Sequence, residues 1–171
     1  MEVTDGFARG GLRFECTRCS RCCRHTPGYV FLSSADVTRL AKSQKLGEKD
    51  FLARYCRTID CGLARRFSLK EKTNLDCIFW KNGGCSIYEA RPLQCRSFPF
   101  WSALVTSREE WENQALQCPG MGTGRLYSWK EIKGWLERRL EEEFLEAEGE
   151  EQKDESHFLG RARIASDPSL P

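Results

Sequence analysis

The sequence predicts a small α+β domain, cysteine-rich and stabilised by metal, with short helices, a hairpin and a C-terminal amphipathic helix. Three observations predict it. Ten of the 171 residues are cysteine, several times ordinary usage, and four of them form Cys16-x2-Cys19-x2-Cys22-Cys23. Asn82-Gly83-Gly84 lies between apolar runs that reach from Ile78 to Tyr88, which is a hairpin signal. Ser33-x-x-Asp36 and Ser128-x-x-Glu131 are capping boxes ahead of apolar residues at helical spacing.

The elements follow in order. Residues 1–13, with Gly6, Gly10 and Gly11 and no periodicity, read as an irregular lead-in. The cysteine-cluster domain spans 14–126. Pro27-Gly28 marks a turn, and Tyr29-Val30-Phe31-Leu32 reads as a short strand. Ser33 caps a helix carrying Val37, Leu40 and Ala41, with Gly47 suited to close it. Phe51, Leu52 and Tyr55 predict a second helix ending near Cys56. Residues 57–76 are polar and ambiguous, although Phe67 and Leu69 alternate as in a strand. Pro92 suits the first turn of a helix bearing Leu93 and Cys95. Ser107 caps a segment to Leu116, with Glu109 and Glu110 in its first turn. Gly122 and Gly124 predict loop. The segment 127–148 is the C-terminal helix, regular over 129–147, with a stripe of Ile132, Trp135, Leu136, Leu140 and Phe144 packed on the domain. Residues 149–171 read as a disordered acidic tail.

Composition narrows the class. The chain is 40% hydrophobic and 30% charged, enough for a modest core. No apolar run is long enough to span a membrane. Met1-Glu2-Val3-Thr4-Asp5 carries acids and no hydrophobic stretch, so a secretory leader is not expected and the cytoplasm is. In a reducing compartment clustered cysteines are metal ligands more often than disulfides or free thiols. The net charge of +2 hides a split, because residues 1–136 carry +8 and residues 137–155 carry −7. Ligand thiolates offset much of that basicity.

Three thiolates at two-residue spacing converge from one loop on a zinc ion, or on three corners of a [4Fe–4S] cluster. Cys118-Pro119 fits the distant fourth ligand of a ferredoxin-type run, which leaves Cys23 for a second metal. Cys77, Cys85, Cys95 and Cys118 each lie in or beside a turn, hairpin or helix start. Eight thiolates are enough for about two tetrahedral sites or two cubanes, and spacing alone does not pair them. Closed four-thiolate sites leave no open position for a substrate, and no Glu or His pair stands at metalloenzyme spacing, so catalysis is not expected.

Cys16-x2-Cys19-x2-Cys22-Cys23-Arg24, Leu32-Ser33-x2-Asp36, Cys77-Ile78-Phe79 and Cys85-Ser86-Ile87-Tyr88-Glu89-x-Arg91-Pro92-x2-Cys95-Arg96-x-Phe98-Pro99 follow in that order, and Cys118-Pro119-Gly120-x-Gly122-x-Gly124 closes the set. This pattern, over residues 14 to about 124, resembles the YkgJ-type CxxCxxCC cysteine-cluster family, whose members carry a zinc- or iron-chelating domain and are often labelled Fe–S-cluster-containing. The resemblance implies Cys16, Cys19, Cys22, Cys23, Cys77, Cys85, Cys95 and Cys118 as metal ligands. It does not reach Cys56 or Cys61, which read as small, partly buried hydrophobes. The chain departs from the family at Ser20, where members often have glycine.

Around the ligands, His25 is expected beside the site rather than in it. Arg18, Arg21 and Arg24 favour thiolate by charge. A nucleic-acid role for them is not expected, because the paired-cysteine, paired-histidine spacing of a DNA-binding finger is absent. Arg91 and Arg96 flank ligand cysteines and suit hydrogen bonds to sulfur, with a protein-recognition loop as the other reading. Phe79, Trp80, Tyr88, Phe98, Phe100 and Trp101 read as packing over the sites. The expected function is chelation of zinc or iron by clustered thiolates, in a structural or metal-handling role. The alternative is an iron–sulfur protein acting in electron transfer, in redox sensing or as an accessory to an enzyme.

Overall fold

The computed structural model describes residues 6–24 and 27–147. Short helices and three two-stranded antiparallel sheets give the α+β architecture. In order come β1 (Leu12–Phe14), α1 (Ser34–Ser43), α2 (Glu48–Tyr55), β2 (Cys56–Asp60), β3 (Arg65–Leu69), β4 (Trp80–Lys81), β5 (Gly84–Cys85), α3 (Leu93–Arg96), α4 (Ser102–Val105), α5 (Arg108–Gln117), β6 (Arg125–Tyr127) and α6 (Trp129–Glu141). No described helix is long and apolar enough to cross a membrane.

Two apolar clusters divide the interior. The first gathers Leu32, Val37, Leu40, Phe51, Leu69, Phe79 and Ile87 from α1, α2 and the central hairpins. The second gathers Ala8, Leu12, Phe100, Val105, Trp111 and Ile132 from both ends of the chain. Cys77 and Cys85 pack against the first cluster, and Cys118 packs against the second.

Local chemistry explains the elements that were foreseen. Ser33 and Asp36 close a reciprocal capping box on α1, and Ser128 and Glu131 do so on α6, satisfying first-turn amides that lack helical partners. Ser107 accepts the Glu110 N–H at the start of α5. The β4–β5 turn places Asn82 at φ 48° and Gly83 at φ 83°, the left-handed pair that a two-residue hairpin loop needs.

Several expectations are corrected. The lead-in is not irregular over its described residues: Phe7–Gly10 form a 3-10 turn, and β1 pairs with β6 through Leu12–Tyr127 to Phe14–Arg125. Ala8 and Leu12 are core residues, so sequence ends that look unpatterned are joined by long-range pairing. Residues 29–32 form no full strand, and Phe31 makes an isolated bridge to Ser68. The polar stretch after Cys56 is instead the β2–β3 hairpin. Gly47 does not close α1. Lys45 adopts the left-handed φ of 56°, and the Lys45 and Leu46 amides donate to the Lys42 and Ala41 carbonyls, a complete Schellman closure. Gly47 instead precedes α2. The helix at 102–105 was not foreseen from the sequence.

The C-terminal helix ends at Glu141, six residues short of 147. Beyond it the chain turns extended, because the Ser33 hydroxyl holds the Glu142 carboxylate at 3.0 Å and backbone pairing takes over. The Leu145 amide donates to the Leu32 carbonyl, and the Leu145 carbonyl accepts from Phe67. Leu145 thereby joins the first core, and Phe144 packs tilted against Phe31 rather than continuing a helical stripe. Leu140, expected in the packed face, is 74% exposed, whereas Ile132 is fully buried. Residues 149–171, expected as the tail, Glu148 at the expected end of the C-terminal helix segment, and His25 lie outside the described residues.

Candidate metal centre

The first four cysteines occupy an open loop, and the other four come from turns beneath it. Cys16, Cys19 and Cys22 are exposed, while Cys23, Cys77, Cys85, Cys95 and Cys118 are half-buried. Among the described residues no three Cys, His, Asp or Glu side chains converge as they stand on a single ion position. The Cys22 and Cys23 sulfurs lie 3.7 Å apart.

The spacer residues of the loop decide where it docks. Arg24 pairs with Asp76 at 3.3 Å, one residue before Cys77, and the Cys77 amide donates to the Cys23 carbonyl at 2.8 Å. The Ser20 hydroxyl donates to the Gly83 carbonyl at 3.2 Å, two residues before Cys85. Arg21 donates to the Gln117 carbonyl at 3.3 Å, one residue before Cys118. Arg18 lies over the Tyr88 ring at 4.3 Å, on the segment between Cys85 and Cys95. Four positions between and beside the cysteines thus tie one cysteine loop to the segments that carry the remaining cysteines.

Ser20 takes φ 64°, which accounts for a glycine preference at this position. The hydroxyl compensates by donating its one O–H to the nearer Gly83 carbonyl, with the Arg18 carbonyl as a more distant acceptor, so the departure from the family pattern is accommodated.

Neighbouring groups act on the thiols in a consistent pattern. Cys22 is lowered to about 7, first by the hydrogen bond from Cys23, against burial, with Arg91 also favouring the thiolate. Cys23 is pushed up by that same bond, by burial, and by the charges of Cys22, Cys77 and Cys95. Burial raises Cys95, and Cys77, Cys22 and Cys85 raise it further. Burial raises Cys77, Cys85 and Cys118 as well. It is opposed at Cys77 by the Phe79 amide, at Cys85 by the Ile87 amide, and at Cys118 by the Gly120 and Met121 amides. A backbone N–H aimed at a thiol two residues earlier stabilises its thiolate without any side chain.

The arginines play parts different from those expected. Arg91 donates to the Tyr88 carbonyl at 2.8 Å and stacks on the Tyr88 ring at 3.6 Å, so it acts on the thiols through charge. Arg96 donates to the Arg91 carbonyl at 3.0 Å. Arg18, Arg21 and Arg24 serve as docking contacts. Cys56 lies in the first core with its thiol pushed up to about 12 by burial, the inert role foreseen for it. Cys61 is instead exposed beyond β2. It is not buried, because the β2–β3 turn carries it away from the core.

Two supporting residues were missed. Asp76 is 1% exposed, held by Arg24 and Asn74; an acid beside Cys77 was the available signal. Asp36 was read only as a helix cap. Besides capping α1, it accepts the Leu93 amide at 2.9 Å and pairs with Arg39. Arg39 in turn donates to the Ala90 and Arg91 carbonyls, which fixes the turn that presents Cys95.

No solved structure matches the chain. Residues 15–119 match the CxxCxxCC family, described as "Putative zinc- or iron-chelating domain". The matched span contains all eight cysteines gathered by the loop and the turns beneath it, and the chain belongs to the CxxCxxCC family of zinc- or iron-chelating domains.

Proposed function

We propose that the chain binds zinc or iron through Cys16, Cys19, Cys22, Cys23, Cys77, Cys85, Cys95 and Cys118, in a structural or metal-handling role. The observation that carries this reading is the docking of the Cys16–Cys23 loop onto the segments that bear the other cysteines, through the Cys77 amide on the Cys23 carbonyl, Ser20 on the Gly83 carbonyl and Arg21 on the Gln117 carbonyl. Structural and cargo sites need stabilised thiolates on short turns, and a bound cation relieves the repulsion that raises Cys23 and Cys95.

Cys22 stands at the junction of the eight, since its charge acts on Cys77, Cys85 and Cys95 and also on Cys118. Cys77 and Cys85 pack against the first apolar cluster and Cys118 against the second, so metal binding would contribute to folding.

The Cys16-x2-Cys19-x2-Cys22 spacing, with Cys118-Pro119 as a distant fourth ligand, favours an iron–sulfur reading. Such a chain would act in electron transfer, in redox sensing or as an accessory to an enzyme. Anaerobic purification with metal analysis and an absorption spectrum on one sample tests both readings. A colourless protein with about two zincs per chain supports closed structural or cargo sites. A brown protein with several irons supports clusters. Neither metal, with the thiols oxidised, contradicts both.

A further inference from the structure

Among the described residues two buried side-chain nitrogens have no hydrogen-bond partner, Arg66 Nε and Trp80 Nε1. Arg66 is explained by its surroundings, since its Nε lies 3.9 Å from the Glu146 carboxylate and its guanidinium covers Phe144. Trp80 is not. An indole N–H shut away from water costs free energy unless something accepts it.

Its position points to the acceptor. Trp80 stands directly opposite Cys85 in the β4–β5 hairpin. The flanking Ser86 amide donates to the Phe79 carbonyl at 2.9 Å, which makes Trp80–Cys85 the non-hydrogen-bonded pair of the ladder. Side chains of such a pair lie on one face and approach most closely. The Trp80 amide also donates to the Cys77 carbonyl at 2.9 Å, and Arg24, next to Cys23, covers the indole at 4.0 Å. Three ligand-bearing segments therefore surround one ring. A neutral thiol is a weak acceptor, whereas a metal-bound thiolate is a charged and good one.

We propose that Trp80 is a positioning residue of the metal centre whose indole N–H donates a hydrogen bond to the metal-bound Cys85 sulfur. The proposal rests on the metal-binding reading above. The bond orients the Cys85 thiolate and draws off part of its charge, a role that partners of metal ligands commonly fill. It also accounts for a buried donor that is orphaned only while no ion is bound.

The test uses the full chain labelled with 15N-tryptophan, with and without cadmium-113, a thiolate-seeking NMR-active ion. On loading, the Trp80 indole resonance should move downfield, exchange with solvent more slowly and couple to cadmium through the hydrogen bond. That signal should be missing in Trp80→Phe, which should bind cadmium about tenfold more weakly, the effect of losing one charge-assisted hydrogen bond. A chain that takes up cadmium while every indole signal stays unmoved and uncoupled overturns the proposal alone. A chain that takes up no cadmium overturns the metal-binding reading and the proposal with it. Should Trp80→Phe not fold, the coupling in the native chain still decides.

Discussion

The backbone amide of Cys77 donates to the carbonyl of Cys23 at 2.8 Å, locking the end of the exposed cysteine loop onto the turn that presents a half-buried thiol. The adjacent Arg24–Asp76 pair reinforces the same joint. Asp76 is 1% exposed on its side chain and Arg24 is 32% exposed. Removing Arg24 leaves a buried carboxylate short of its cation. Arg24→Ala should therefore cost on the order of 2 kcal/mol, below the ~3–5 kcal/mol of fully buried pairs because water reaches the arginine. Thermal unfolding of the metal-free chain checks this, and Asp76→Asn should cost less than Arg24→Ala because it removes the buried charge.

Asp36 links helix α1 to the Cys95 turn through the Ser33 and Leu93 amides and Arg39. Asp36→Ala should lose about 3 kcal/mol, since two amides and one guanidinium lose their acceptor together. Ser33→Ala, which removes one cap, should lose about 1 kcal/mol. Denaturant unfolding of the two variants should preserve that order.

Gly120 is required sterically. A Cβ there would meet the Glu15 carbonyl oxygen at 2.1 Å, and the Glu15 amide bonds the Gly120 carbonyl at 3.0 Å. Gly120→Ala must push β1 away from the Cys118 turn, at a cost of about 1–3 kcal/mol. The same change should weaken metal uptake by separating Cys118 from the Cys16 loop, which a titration with cobalt(II) would register.

Cys22 is exposed and lowered to about 7, whereas Cys56 is buried and pushed up to about 12. In the metal-free chain, alkylation of Cys22 should rise as pH passes upward through 7, because the thiolate is the reacting form. Cys56 should stay unmodified over the same range. Mass-spectrometric mapping after pulses at pH 6 and pH 8 distinguishes them. Metal affinity should already fall as pH drops from above 7, because the raised thiols of Cys77, Cys85, Cys95 and Cys118 take up protons before Cys22 does.

Helix starts were legible because Ser33, Ser107 and Ser128 act within one turn, and the Asn82-Gly83 hairpin because its turn chemistry is local. The pairing of β1 with β6 was not legible. Residues more than a hundred positions apart meet there, and neither strand carries an alternating pattern long enough to read. The end of α6 was hidden for a related reason. Glu141-Glu142-Glu143-Phe144 has helical spacing, and only the distant Ser33 hydroxyl and the Leu32 carbonyl divert it. In the candidate centre the eight cysteines proposed as ligands rest on spacing and resemblance, and all lie within the matched residues 15–119. Their docking contacts were not legible, because Arg18, Ser20 and Arg21 look like ordinary polar spacers until Tyr88, Gly83 and Gln117 are placed beneath them.

X-ray absorption at the metal edge of the anaerobically purified full chain tests the central claim most directly. Thiolate ligation by the eight cysteines predicts a first shell of about four sulfurs per metal, near 2.3 Å if the metal is zinc. A first shell of oxygen or nitrogen at about 2.0–2.2 Å would contradict it.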